Sequence, residues 1–144
     1  MDFHFASAWE IVADKYPNRV ATISDDKPLS WKDFERRASC IASLLEEHGL
    51  GADSKAGLYL HNCSEYQEAQ FGIFKVGGCP INVNYRYKSD ELVYLLENSD
   101  AEAVFFQSCY AMRIWEIRER LPKVKLFVQI DDGTESLLKG AVDY

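Results

Sequence analysis

Three short stretches bring together residue types that can do chemistry. His61-Asn62-Cys63-Ser64 sets an imidazole, a carboxamide and a thiol before a helix start, where backbone N–H groups favour anions. Asn82-Val83-Asn84-Tyr85-Arg86-Tyr87 interleaves amides, two rings and a guanidinium. An Arg fork suits phosphate and an aromatic ring can stack on a nucleobase. Gln107-Ser108-Cys109 opens a segment that carries Arg113, a second cation for the same edge. Each residue also has an ordinary structural role. Asn82 and Asn84 can satisfy backbone groups, the tyrosines can pack on the next helix, and Arg113 can pair with Glu116 or Glu119. His61 suits a hydrogen-bonded loop position, Ser64 a helix cap, and His48 a satisfied place on an apolar helix face. On these residues alone, the chain is an α/β domain with an anion-binding edge as its one candidate site.

Other chemistries lack their residues. Gly77-Gly78 and Gly49-Leu50-Gly51 follow helices instead of preceding them, the wrong order for a phosphate cradle. There is no Gly-x-Ser-x-Gly elbow, His-Glu-x-x-His pair or Asp-x-Asp calcium loop. Glu46-Glu47 and Asp131-Asp132 suit a solvated surface. Cys40, Cys63, Cys79 and Cys109 form no Cys-x-x-Cys pair, so buried reduced thiols are expected in place of zinc or disulfides. That usage, with no basic and apolar leader in Met1-Asp2-Phe3-His4, points to the cytoplasm. No run nears the ~18 apolar residues of a membrane span. The formal charge of −7 disfavours a nucleic-acid partner.

The elements that must position these loops follow from periodicity and punctuation. Phe5, Trp9, Val12, Ala13 and Tyr16 predict a helical face that Pro17 ends. Arg19–Ile23, a turn at Asp25-Asp26 and Lys27–Leu29 predict a hairpin. Ser30 caps a helix with Trp31, Phe34, Ala38, Ile41, Leu45 and His48 on one stripe, closed by Gly49. Ala56–Leu60 is a strand, and Ser64-Glu65-Tyr66-Gln67 is a capping box for a helix bearing Tyr66, Ala69, Ile73 and Val76, stopped at Gly77-Gly78. A strand over Cys79–Val83, a helix from Ser89 through Leu96, a strand at Ala103–Phe106, a helix from Ser108 bearing Met112, Trp115 and Arg118, and a strand at Val124–Val128 complete the pattern. Such alternation predicts an α/β fold with a doubly wound, mostly parallel sheet flanked by helices. Length fits one domain of 144 residues. The tail from Asp131 reads as a short helix or a passage to something further on.

In their order, several of these segments resemble the adenylate-forming, AMP-binding enzymes: acyl-CoA synthetases, luciferases and peptide-synthetase adenylation domains. The resemblance rests on Tyr16-Pro17-Asn18-Arg19-Val20-Ala21, Leu29-Ser30-Trp31-Lys32-Asp33-Phe34, Leu60–Glu65 and Gly72–Gly78. It continues through Asn82–Tyr87, Asp90-Glu91-Leu92 and Asn98-Ser99-Asp100-Ala101. The Asn-Val-Asn-Tyr-Arg-Tyr form looks most like fatty-acyl and steroid side-chain CoA ligases. The resemblance implies a parent enzyme that activates a fatty or steroid side-chain carboxylic acid with ATP and Mg, then passes the acyl group from the adenylate to CoA. It implies that residues 1–130 form its first α/β subdomain and that 131–144 lead out of it. The family's phosphate loop, magnesium motif, ribose-binding Asp and catalytic Lys have no counterpart in this sequence. No catalytic residue is therefore carried over, and neither ATP, Mg nor CoA is expected to bind this chain tightly. The resemblance implies a CoA-binding role for Tyr85, Arg86, Tyr87 and Arg113, whose matching region borders the CoA tunnel in some relatives. Apolar surface left uncovered implies self-association. The rival functions are a free-standing α/β interaction module from a truncated paralogue and a small flavodoxin-like or receiver-like domain. The receiver version needs acidic residues clustered at strand ends, which this sequence lacks.

Overall fold

The computed structural model describes residues 4–144, so the leader question at Met1–Phe3 lies outside the described residues. Its contacts divide the chain into two compact units: one from the N-terminus to Asp53 with Asn62–Cys79, the other Ser54–His61 with Pro80–Tyr144.

The first unit is helical with a hairpin. Helix α1 spans Phe5–Lys15 and stops ahead of Pro17. Strands β1 (Val20–Ser24) and β2 (Lys27–Ser30) pair antiparallel. Asp25 and Asp26 both take positive φ, 49° and 60°, the left-handed pair that a tight hairpin turn needs. Helix α2 spans Trp31–Glu47. The Ser30 hydroxyl accepts from the Asp33 amide at 3.1 Å and donates to its carboxylate at 2.8 Å, as its cap position predicts. Gly49 and Gly77 (φ 71° and 74°) provide the left-handed exits of α2 and of α3, Ser64–Lys75.

Here packing departs from the expected stripes. On α1, Ala6 and Ala13 are buried while Phe5 and Tyr16 are exposed, because the close approach of neighbouring helices needs small side chains. Trp9 instead fills the aromatic core, edge-on to Phe71 at 5.0 Å. On α3, a Cβ on Gly72 would lie 2.6 Å from an Ile41 methyl, so glycine permits the contact with α2. The cap of α3 is Cys63 with no side-chain bond, so Ser64 does not cap it. His48 ends α2 half-buried, its Nδ1 2.9 Å from the Leu44 carbonyl, at the rim of the stripe and outside the core.

The second unit carries a five-stranded sheet. Its strands are β3 (Lys55–Tyr59), β4 (Cys79–Asn82), β5 (Ala101–Gln107), β6 (Leu126–Ile130) and β7 (Val142–Asp143). They lie in the order β4-β3-β5-β6-β7, and β3, β5, β6 and β7 pair in parallel. The α/β class with a mostly parallel sheet is thus as expected. Central β5 is almost wholly buried, which accounts for its continuous apolar run. Helices α4 (Ser89–Asn98) and α5 (Ala111–Ile117) bury Leu92, Leu96, Ile114 and Ile117 against Val104 and Phe106. Met112 and Trp115 lie on the exposed face of α5, with Arg118 stacked on Trp115 at 3.5 Å. Strand β6 falls two residues later than predicted. The tail contains no helix and returns as β7.

Candidate functional site

Parallel register aligns the carboxyl ends of the strands. Tyr59 pairs with Phe106 across β3 and β5, and Gln107 with Ile130 across β5 and β6. The Val83 amide donates to the Leu58 carbonyl at 3.2 Å, which brings the loop after β4 beside the end of β3. The three stretches singled out in the sequence meet at this edge through His61, Asn84–Tyr87 and Gln107.

The loop is a compact turn. The Tyr87 amide donates to the Asn84 carbonyl and the Arg86 amide to the Asn84 side-chain oxygen, both at 3.0 Å. Asn84 thus satisfies backbone donors, as one of its two expected roles required. Arg86 is exposed, with its guanidinium 5.6 Å from the Tyr85 ring centre. Tyr85 is 40% exposed and Tyr87 half-buried. Tyr85 and Arg86 thus present a ring and a cation to solvent side by side.

Arg113 sits differently. It is half-buried and pairs with neither Glu116 nor Glu119. Its Nη1 donates to the Tyr59 hydroxyl and to the Tyr87 carbonyl, the latter at 2.9 Å. Glu116 instead accepts from Ser89, and Glu119 pairs with Arg118. Fully buried Tyr59 lies 3.0 Å from the Tyr87 carbonyl and 3.3 Å from that of Tyr85. Burial raises the Tyr59 pKa against the pull of Arg113, so the phenol stays protonated and can donate.

A second layer backs this knot. Tyr110 stacks on Tyr59 with ring centres 4.2 Å apart. Its hydroxyl lies 2.9 Å from His61 Nε2, while His61 Nδ1 lies 2.9 Å from the Gln107 amide oxygen. His61 is therefore the hydrogen-bonded loop histidine the sequence favoured, with both ring nitrogens engaged. Burial, with Cys109 and Tyr59 nearby, pushes the Tyr110 phenol up to about 12. None of the four cysteines is buried: Cys40, Cys79 and Cys109 are exposed and Cys63 is half-buried. The expectation of buried thiols fails because three of them fall on outward positions. Among the described residues no cluster of His, Cys, Asp and Glu could hold a metal ion. No described helix is long and apolar enough to cross a membrane.

Sequence reasoning missed Tyr59 and Tyr110. The available signal was a tyrosine closing an otherwise apolar strand and the Tyr110-x-x-Arg113 spacing, which puts the guanidinium 5.8 Å from the Tyr110 ring centre.

Known proteins show which family the chain belongs to. Residues 9–142 match the model of the AMP-binding enzymes. The chain is 36% identical over 135 residues to 3-oxocholest-4-en-26-oate–CoA ligase of Rhodococcus rhodochrous, covering 94% of this chain and 24% of that protein. It is 35% identical to medium-chain acyl-CoA ligase Mig of Mycobacterium avium, covering 92% and 27%. Among solved structures, a putative long-chain-fatty-acid CoA ligase from Rhodopseudomonas palustris superposes with a TM-score of 0.88 at 27% identity, covering 99% of this chain and 35% of that one. The anthranilate CoA ligase AuaEII, in complex with anthranoyl-AMP, gives the same TM-score of 0.88 at 21% identity, covering 97% and 26%, which shows shared fold. The chain spans about a quarter of the length of the curated relatives it matches. The match over nearly all of its residues shows that this chain belongs to the family of AMP-binding enzymes.

Proposed function

We propose that this chain supplies the N-terminal α/β part of an ATP-dependent acyl-CoA ligase. That enzyme joins a fatty or steroid side-chain acid to CoA through an acyl-adenylate. The observation that carries the reading is the 36% identity, over 94% of the chain, to a ligase whose name specifies such an acid. Cytoplasmic residence goes with it.

The share of the reaction held here is binding and not adenylation. The sequence has no glycine-rich loop ahead of a helix for the ATP phosphates. CoA fits better. It carries phosphates and an adenine, and the loop offers exposed Arg86 beside the partly exposed ring of Tyr85. In this reading Tyr85, Arg86, Tyr87 and Arg113 form the edge where CoA enters. CoA supplies the thiol that takes the acyl group. These residues orient its charged end.

Acid-dependent exchange between ATP and labelled pyrophosphate tests the division of labour. The purified chain is expected to show no exchange above buffer with fatty or steroid acids. Exchange by the chain alone would overturn it.

A further inference from the structure

Two arginines reach the same edge, and the structure gives them different surroundings. Arg86 is exposed, with only the Tyr85 ring beneath its guanidinium. Arg113 is half-buried and already committed: its Nη1 donates to the Tyr59 hydroxyl and the Tyr87 carbonyl. Tyr59 in turn reaches the carbonyls of Tyr85 and Tyr87. Two elements therefore converge on two backbone carbonyls of the loop after β4: the end of β3 through Tyr59 and the start of α5 through Arg113. The loop's other contacts are its own turn bonds through Asn84 and the packing of the Tyr85 ring against His61, with centres 4.6 Å apart. Short loops of this kind open readily unless tied to the scaffold, and a buried donor that loses its acceptor carries a desolvation cost.

We propose that Arg113 and Tyr59 are positioning residues that act as one clamp, fixing the Asn84–Tyr87 loop so that Arg86 and Tyr85 face the ligand. This rests on the CoA-edge reading for the ligand itself, and it takes Arg113 out of direct contact with CoA. The clamp works through carbonyl acceptors, so any residue at 85 or 87 that keeps the turn would be held. The specific chemistry lies in Arg86. The ring of Tyr110, stacked on Tyr59 at 4.2 Å, keeps the phenol aimed at the loop.

Amide hydrogen exchange on the 15N-labelled 144-residue chain tests the clamp without ligand. The Arg86 and Tyr87 amides are both donors within the turn and report its opening. Tyr59→Phe, which keeps the ring, and Arg113→Gln are each expected to speed these two amides by about tenfold or more. The β5 amides should stay protected, showing that the sheet is intact. The double variant should be little faster than either single one, because each removes the same clamp. Arg113→Lys, which retains one donor toward the Tyr87 carbonyl, should recover part of the protection. Unchanged exchange at both amides in both single variants would overturn the proposal.

Titration with CoA, followed by amide shifts, adds the readout that simple loss of packing would not move. Arg86→Gln should abolish the shifts while leaving loop exchange as in the parent. Arg113→Gln should weaken CoA binding in the parent but not further in Tyr59→Phe. Equal, additive losses in both backgrounds would mean that Arg113 touches CoA itself, and would overturn the positioning role. If CoA moves no amide of the parent chain, the CoA-edge reading fails, and the clamp stands or falls on the exchange rates alone.

Discussion

Cys109 shows how little exposure alone says about reactivity. The side chain is exposed, yet partial burial of the sulfur and the Asp132 carboxylate push the thiol up to about 11. At pH 8 such a thiol is roughly 0.1% thiolate, against about a quarter for an ordinary cysteine near 8.5. Greater intrinsic nucleophilicity of the more basic thiolate offsets part of the difference. Iodoacetamide should therefore label Cys109 in the folded chain about tenfold more slowly than in the urea-unfolded chain. Asp132→Asn should speed labelling, since it removes a negative charge that opposes ionisation. Peptide mass spectrometry over a time course gives the rates, and equal rates folded and unfolded would contradict the assignment. Legibility at this scale was uneven. The loop Asn82–Tyr87 stood out through its composition. The clamp beneath it did not, because Tyr59 and Arg113 lie 54 positions apart and only the packing of α5 beside the end of β3 brings them together. A guanidinium looks the same in sequence whether it faces a ligand or a carbonyl.

Helices α1, α2 and α3 are tied by one ammonium. Lys75 Nζ lies 2.5 Å from a Glu10 carboxylate oxygen and 2.8 Å from one of Glu35, and the Lys75 side chain is only 12% exposed. Hydrogen bonding to Lys75 holds Glu35 below the usual carboxylate range, against burial. Burial works against the Lys75 charge, but Glu10 and Glu35 overcome it and raise its pKa. The signs define a window. The Glu35 contribution is present above its ordinary value and is lost as pH falls through the depressed one. The Lys75 contribution is complete below its ordinary value near 10.5 and is lost as pH rises through the elevated one. Lys75→Met should cost about 1 kcal/mol at pH 7, allowing for solvent screening of the two half-exposed partners. It should also flatten both the acid and alkaline limbs of the stability profile. Urea unfolding across pH measures this; a variant with the parent's profile would show that the pairs contribute nothing. Much of the element plan was readable because turns and helix exits carry their own chemistry: Asp25-Asp26, Ser30, Gly49 and Gly77 each sit where backbone geometry requires them. The faces were less readable. Trp9 and Phe5 are equally apolar, and only the buried alanines of α1 decide which of them points inward. For β6, the run from Val124 to Ile130 could pair in several windows. Register with β5, Ala103 to Leu126 and Gln107 to Ile130, selects the later one. Two-residue β7 has no pattern of its own and exists through its pairing with β6.

For the molecule as a whole, surface and lineage give one picture. Phe5 and Ile23 are 68% and 69% exposed, with Ile11 and Val20 also outward on the first unit. Apolar side chains in such numbers on α1 and the hairpin favour association. The isolated chain is expected to form dimers or larger species in light scattering at high concentration, and a strict monomer would contradict this. If this fold is, as proposed, the first part of an acyl-CoA ligase, it should replace the matching part of a relative. Grafting measures this. The 135-residue matching segment of the Rhodococcus rhodochrous ligase is replaced by this chain, and CoA-thioester formation from 3-oxocholest-4-en-26-oate is measured. The folded chimera is expected to form thioester, and to lose affinity for CoA when Arg86 is changed to Gln. A chimera that folds but forms no thioester would contradict it.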